Sequence, residues 1–270
     1  MNPPAGATWV YALSRNLGQA GLDGLRGIGG GQVRALASSQ LTAVVESVDP
    51  GVFSAEKLQD RLTDPADLEL VARRHHDVVV AVAALGPALP FRLATVYLSD
   101  ERVRTLLSER CDEFCRALGW LADRTECGVK AWADPDALNR ARRTQPSARS
   151  PDGQLARPGL ADHSGAAYLA RRRAELAARA EGQRLAARCG EEIHASLVPL
   201  AAASRLHPLH DTRATGEAGL QVLNAAYLVD SASLPAFAES ARAVAARAGA
   251  CEVAVTGPWP AYSFADRPDA

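Results

Sequence analysis

The sequence predicts an α+β fold in two domains. Residues 1–123 read as an N-terminal antiparallel sheet with helices, and residues 124–270 as a C-terminal ferredoxin-like βαββαβ unit with a long helix. Three observations carry this expectation. The first part runs three strands, helix, strand, helix, an order that suits an antiparallel sheet backed by helices. The second runs strand, helix, strand, strand, helix, strand. The chain has 270 residues and 47% hydrophobic content, enough to bury the cores of one large or two ordinary domains.

Taken in order, TWVYAL, Thr8 to Leu13, is rich in β-formers. The run from Val33 to Val48 reads as two strands that meet near Ser38 and Ser39. A short helix is expected from Ser54 to Leu62. After it, Leu68, Val71, His75, Val78, Val82 and Leu85 recur at spacings of three and four, which predicts a helix with one apolar stripe. Pro65 suits its first turn, and Gly86 and Pro87 stop it. ALPFRLATVYL then reads as a strand whose early proline marks an edge or a strand start. Ser99 can cap the next helix, whose buried face is Val103, Leu107, Cys111, Phe114, Leu118 and Leu121.

The second domain begins with a strand in TECGVKAWA, Thr125 to Ala133. Residues 140–161 are rich in Arg, Pro and Ser and nearly lack large apolar side chains, so a mobile loop is expected there. From Ala166 the pattern is a long alanine-rich helix, with a break expected at Cys189-Gly190. A short strand near Ser204 to Leu209, a strand in GLQVLNAAYLVD, a helix from Leu234 to Ala248 and a last strand, CEVAVTG, complete the order. The halves show no repeat.

Thirty basic and thirty-one acidic residues leave a formal charge of −1, which favours neither nucleic acid nor an anionic membrane as partner. No stretch approaches the ~20 apolar residues needed to span a bilayer, and the start lacks a basic segment followed by an apolar run, so a cytoplasmic location is expected. Five scattered cysteines fit buried thiols better than a disulfide framework or a paired metal site.

Local catalytic signatures are absent: no GxSxG elbow, HExxH or zinc-deaminase motif occurs. The glycine cluster GIGGGQ, Gly27 to Gln32, has neither dinucleotide nor nucleoside-triphosphate spacing and reads as a flexible turn. His75 lies in an apolar stripe and reads as a core histidine with satisfied hydrogen bonds; the rival reading is a small-molecule enzyme that uses it with a distant carboxylate. His76, its neighbour, points about 100° away, so the two cannot share a metal ion. His207, His210 and Asp211 would need a ligand from elsewhere to hold zinc, and Cys111 and Cys115 lie one helical turn apart without further ligands. No metal, cofactor or catalytic residue is therefore expected. Between Arg140 and Arg188 stand eleven arginines against four acids, the best nucleic-acid candidate. Tyr168 is its only aromatic, so a solvated helix face or an acidic protein partner is the preferred reading.

The tail GPWPAYSF concentrates aromatic residues where order normally fades, and this predicts that it is docked. Gly257 can end the strand, Pro258 and Pro260 stiffen the chain, and Trp259, Tyr262 and Phe264 fall where they can grip a surface. That surface is either the protein's own, at a sheet edge or a domain seam, or a partner's.

Together these segments resemble the GvpF/GvpL family of gas vesicle accessory proteins over nearly the whole chain. The tail after a strand is the most specific match. Leu85 to Val103, TECGVKAW and AAYLVD support it. Leu93 and Ala94 stand where the family's segment has Phe-Gly, and the loop around Arg140 to Gly159 has no counterpart. The resemblance implies two α+β domains and a non-enzymatic role in assembling gas vesicles, hollow protein shells that give buoyancy. It implies that the protein binds the small hydrophobic shell-forming protein, GvpA-like, and assists its delivery or incorporation. Other gas vesicle accessory proteins are further expected partners, and the vesicle surface a further location. Pro90, Arg92, Gly257, Pro258, Trp259, Pro260, Tyr262 and Phe264 are the candidate partner-binding or structural residues, with Arg92 expected in a buried or inter-domain ion pair.

Overall fold

Two antiparallel sheets organise the chain, each with its own helices and its own core. The computed structural model describes residues 6–144, 165–210 and 219–265. One unit gathers the residues up to Glu126, the short piece Asp230–Ala232, and the chain from Gly257 onward. The other holds Cys127–Val229 and Ser233–Thr256. The tail therefore groups with the first unit.

In the first unit β1 (Ala7–Arg15), β2 (Arg34–Ser38), β3 (Leu41–Val48) and β4 (Ala88–Pro90) form a sheet in the order β2-β3-β1-β4, and β5 (Val96–Tyr97) also pairs with β1. Ser39, at φ 53°, turns the β2–β3 hairpin. The register of β1 against β3 shifts between Val10 and Ala12, leaving Tyr11 as the extra residue of a bulge. Bulges re-aim side chains, and this one sends Tyr11 into the core. The apolar run after Gly86 is interrupted rather than one strand: Thr95 donates from both its backbone N–H and its hydroxyl to the Arg92 carbonyl, and Ala94 sits at φ 68°.

Four helices accompany the sheet: α1 (Ala55–Thr63), α2 (Pro65–Leu85), α3 (Asp100–Glu109) and α4 (Cys111–Leu121). Asp64 caps α2 through the N–H groups of Ala66 and Asp67. Val71, His75, Val78, Val79 and Val82 form its buried face, whereas Leu68 and Leu85, the ends of the expected stripe, are exposed. The helix expected from Ser99 to Leu121 is two, because Arg110 leaves helical geometry at φ −112°, ψ 24°. Their buried residues are those the spacing gives, except that Cys111 is only half-buried.

In the second unit β6 (Arg124–Ala133), β7 (Ala203–Leu206), β8 (Leu220–Asp230) and β9 (Cys251–Trp259) are ordered β7-β8-β6-β9. With α6 (Gly165–Leu197) after β6 and α7 (Leu234–Ala248) before β9, this is the ferredoxin-like order the sequence predicts, with a further helix among the described residues, α5 (Pro135–Thr144). Residues 140–144 belong to α5 rather than to a loop, and the rest of the expected mobile segment lies outside the described residues. The break expected at Gly190 is absent and α6 runs through. Gly190 has another reason: a Cβ there would lie 2.2 Å from the Val222 carbonyl oxygen of β8. Cys189 and Cys251 are bridged rather than free, while Cys127 is a buried thiol.

Candidate functional site

The first unit is built around a polar centre buried in an apolar core. Trp9 of β1 donates its indole N–H to Nδ1 of His75 on α2 (3.1 Å), and the other ring nitrogen lies 3.1 Å from the Phe91 carbonyl. The indole fixes the tautomer: Nδ1 accepts, so Nε2 carries the proton and donates to Phe91. His75 is 2% exposed, and burial lowers its pKa from the ordinary 6.5 to about 4, so the ring is neutral at physiological pH. A sealed ring with both nitrogens bonded has no access to substrate. This is the core-histidine reading of the sequence.

Beside it, the glycine cluster is a cradle rather than a flexible turn. The Glu46 carboxylate accepts from the Gly31 N–H (2.8 Å), the Gly29 N–H (3.3 Å) and the Tyr11 hydroxyl (2.7 Å). Tyr11 in turn accepts from the Ile28 N–H at 2.8 Å, and Arg74 donates to the Ile28 carbonyl at 2.9 Å. Bare amides gather around an anion as they would around a phosphate, but the anion is the chain's own. Burial, first, and the Glu46 charge push the Tyr11 hydroxyl well above its usual pKa. A Cβ on Gly27 would lie 2.1 Å from Glu46 Oε2 and 2.3 Å from the Tyr11 hydroxyl, which explains why glycine stands there. The sequence reasoning missed this assembly; the readable signal was a lone acid, Glu46, within the apolar strand LTAVVESV.

The tail has a built seat in the first unit. Both the N–H and the hydroxyl of Ser263 donate to the nearly buried Glu126 carboxylate, each at 2.7 Å. Thr125 donates to the Trp259 carbonyl at 3.1 Å. Phe264, 3% exposed, meets the Trp120 ring edge-on at 6.2 Å. The Tyr262 hydroxyl lies 3.3 Å from Nδ1 of His76, whose ring is also 5.5 Å from Trp259. Burial, and then the Glu126 charge, raise the Tyr262 pKa. Gly257 sits inside β9, not at its end, at φ 116°, a backbone region open to glycine. The Gly257–Pro258 peptide is cis.

One aromatic residue of the tail stays in solvent. Trp259 is 42% exposed beside a hollow of about 510 Å³ lined by Val80, Leu85, Pro87, Pro258 and Pro260. Leu85 and Val80 are exposed too, at 52% and 41%, so three large apolar side chains share this face. The sequence placed Leu85 in a core stripe; only the fold shows it beside Trp259. A second apolar hollow of about 720 Å³ lies between α1 and β5, lined by Phe53, Leu58, Leu62, Ala94, Val96 and Leu98.

The other candidate residues are elsewhere. Pro90 is buried at the end of β4, paired with Ala12. Arg92 is exposed rather than buried, and it lines a hollow with Phe91, Arg110 and Glu113. His207 and His210 border β8, where the His210 N–H donates to Gln221, while Asp211 lies outside the described residues. Among the described residues no cluster of three or more His, Cys, Asp or Glu side chains is placed to hold a metal, and no helix is long and apolar enough to cross a membrane.

Comparison with known proteins agrees with the family resemblance and the fold. The family model described as gas vesicle synthesis protein GvpL/GvpF matches residues 7–266. Gas vesicle protein L of Streptomyces sp. (strain CB03234) is 38% identical over 258 residues, covering 95% of this chain and 92% of the relative. Gas vesicle protein F of the same strain is 27% identical over 263 residues, covering 96% and 100%. The crystal structure of GvpF from Anabaena sp. PCC7120 superposes with a TM-score of 0.63 at 17% identity, over 97% of each chain. That of GvpF from Microcystis aeruginosa gives 0.63 at 16% identity, over 97% of this chain and 99% of the other. These two likenesses establish the shared fold, and the sequence matches establish the lineage: this chain belongs to the GvpL/GvpF family of gas vesicle synthesis proteins.

Proposed function

We propose that this protein is a gas vesicle assembly factor that binds the hydrophobic, GvpA-like shell-forming protein through the Trp259 face of its first unit and assists its delivery or incorporation. It does so in the cytoplasm and at the vesicle surface, with other accessory proteins as further partners. The observation that supports this reading is the division of labour in the tail. Tyr262, Ser263 and Phe264 are held by His76, Glu126 and Trp120, and this leaves Trp259 beside Val80 and Leu85 as a supported apolar face. A partly exposed aromatic on a fixed backbone is suited to contact, since little entropy is lost when it is covered. A shell subunit exposes apolar surface before incorporation, and an assembly factor needs a face that covers it. Catalysis has no corresponding support, because the histidine best placed in sequence is sealed in the core.

The test is capture of co-expressed shell protein by the wild type and by Trp259→Ser. Trp259→Ser folds normally, because its ring is half in solvent, and captures shell protein at least tenfold less well. Equal recovery with folded protein removes this face from the binding model.

A further inference from the structure

The exposed half of α6 carries a pattern that neither the fold nor the Trp259 face uses. Between Tyr168 and Ala180 no side chain is buried, and only Ala178 is half-covered. Within that stretch Leu169 and Leu176 are 56% and 58% exposed, and Tyr168 66%. At about 100° per residue the two leucines fall within about 20° of one another, with Arg172 and Arg173 within about 60° on either side. Ala178 and Gly182 fall on the opposite side of the helix, and that side is occupied by α5. The Asn139 side chain donates to the Ala178 carbonyl, and a Cβ on Gly182 would meet Pro135. The leucines thus form an apolar seam, rimmed by arginines, on the face turned away from the helix's own neighbour.

Charge decides what can cover it. Arg171, Arg172, Arg173 and Arg179 stand against a single acid, Glu175, which is engaged by Arg172 at 3.2 Å. Arg171, Arg173 and Arg179 have no acidic partner among the described residues. A second copy of this helix brings the same positive charge into register, and close like charges oppose pairing. Nucleic acid uses the arginines but not two leucines, and Tyr168 alone is a poor stacking platform. Helix propensity explains helicity but not this choice, since alanine at both leucine positions serves it better.

We infer that this face of α6 is a docking site for an acidic amphipathic helix of another protein, its apolar residues covering Leu169 and Leu176 and its flanking carboxylates meeting Arg172, Arg173 and Arg179. The geometry is that of a two-helix seam, with apolar positions inside and opposite charges along the edges. The site shares no residue with the Trp259 face, so the two contacts are tested by different substitutions.

The test measures fluorescence anisotropy of two probes: a synthetic helix-forming peptide with leucine at its a and d positions and glutamate at e and g, and a single-stranded oligonucleotide of mixed sequence. Full-length protein is used as wild type, Leu169→Ser with Leu176→Ser, and Arg172→Glu with Arg173→Glu. All four positions are exposed, and circular dichroism checks that the variants stay folded. The expected result is saturable peptide binding, weakened at least tenfold by either pair of substitutions and by raised salt, with the oligonucleotide bound at least tenfold more weakly. Absence of peptide binding overturns the proposal, as does equal binding by the leucine variant. An oligonucleotide bound as tightly as the peptide and sensitive only to the arginine pair assigns the face to nucleic acid. Self-association lost in the leucine variant, seen by sedimentation, assigns it to a second copy. Shell-protein capture by both variants remains at the wild-type level, so this result is read independently of the Trp259 test.

Discussion

His75 and His76 are adjacent on one helix, and each meets a tryptophan and a tyrosine. His75 is enclosed with Trp9 and Tyr11 in the core, both of its nitrogens committed. His76 lies under Trp259 and Tyr262, half-covered by a segment that arrives from the far end of the chain. A rotation of 100° separates a residue that holds the fold from one that presents a surface. The difference teaches that residue type does not assign the role. The same three side-chain chemistries are structural where water is excluded and available for contact where one ring stays wet.

The largest expected effect breaks the core side of this comparison. Gly27→Ala drives a Cβ into Glu46 and Tyr11, and the cradle opens or the strand shifts. A loss of about 3 kcal/mol or more in unfolding free energy is expected from overpacking and orphaned buried hydrogen bonds. Urea titration checks this, and a change below about 1 kcal/mol contradicts the rigid cradle.

Nearly as large is the pH dependence that the sealed His75 imposes. His75 has a folded pKa of about 4 against 6.5 when unfolded, so between these values the unfolded chain binds the extra proton. Stability from this group is therefore intact above pH 6.5 and is lost as pH falls toward 4, by up to about 3 kcal/mol. His75→Gln flattens that slope in thermal melts. An unchanged slope in His75→Gln places the titrating group elsewhere.

A smaller effect belongs to the tail. Tyr262→Phe removes the hydroxyl facing His76 and costs about 1 kcal/mol. The loss is local: amide exchange quickens around residues 259–264 while the sheet of the first unit keeps its protection. Equal loosening of both regions means that the tail and the core unfold as one.

Least of all, Ala94→Gly sharpens the core side. Ala94 is at φ 68° in the turn between Phe91, whose carbonyl accepts the His75 N–H, and β5. Glycine removes the left-handed strain of about 1 kcal/mol but loosens the unfolded chain, so a gain of about 0.5 kcal/mol is expected. The resemblance to gas vesicle proteins marked this position, since glycine stands there in the family's segment. A fall in melting temperature contradicts the strain.

Much of the architecture was readable because local rules determine it. Ser54, Asp64 and Ser99 cap helices where they stand ahead of periodic apolar residues, and the ferredoxin-like order follows from the succession of patterns. Arg110 divided a helix without a proline or glycine to announce it, and the strand after Gly86 stopped at Pro90, ahead of the turn at Ala94. The docking of the tail was legible from its aromatic content, but its seat was not, because Glu126 and His76 lie 137 and 186 residues from their partners. Glycine spacing ruled out two familiar phosphate motifs, yet the sequence could not name the anion that fills the cradle.

By itself, the sequence determined the broad order of strands and helices, the family, and the concentration of aromatic side chains in the tail, since these rest on neighbours along the chain and on residue type. Only the tertiary structure decided that Glu46 fills the glycine cradle, that His75 is sealed and that Trp259 shares a wet face with Leu85. Those outcomes depend on which surfaces exclude water, a property that arises when distant segments meet.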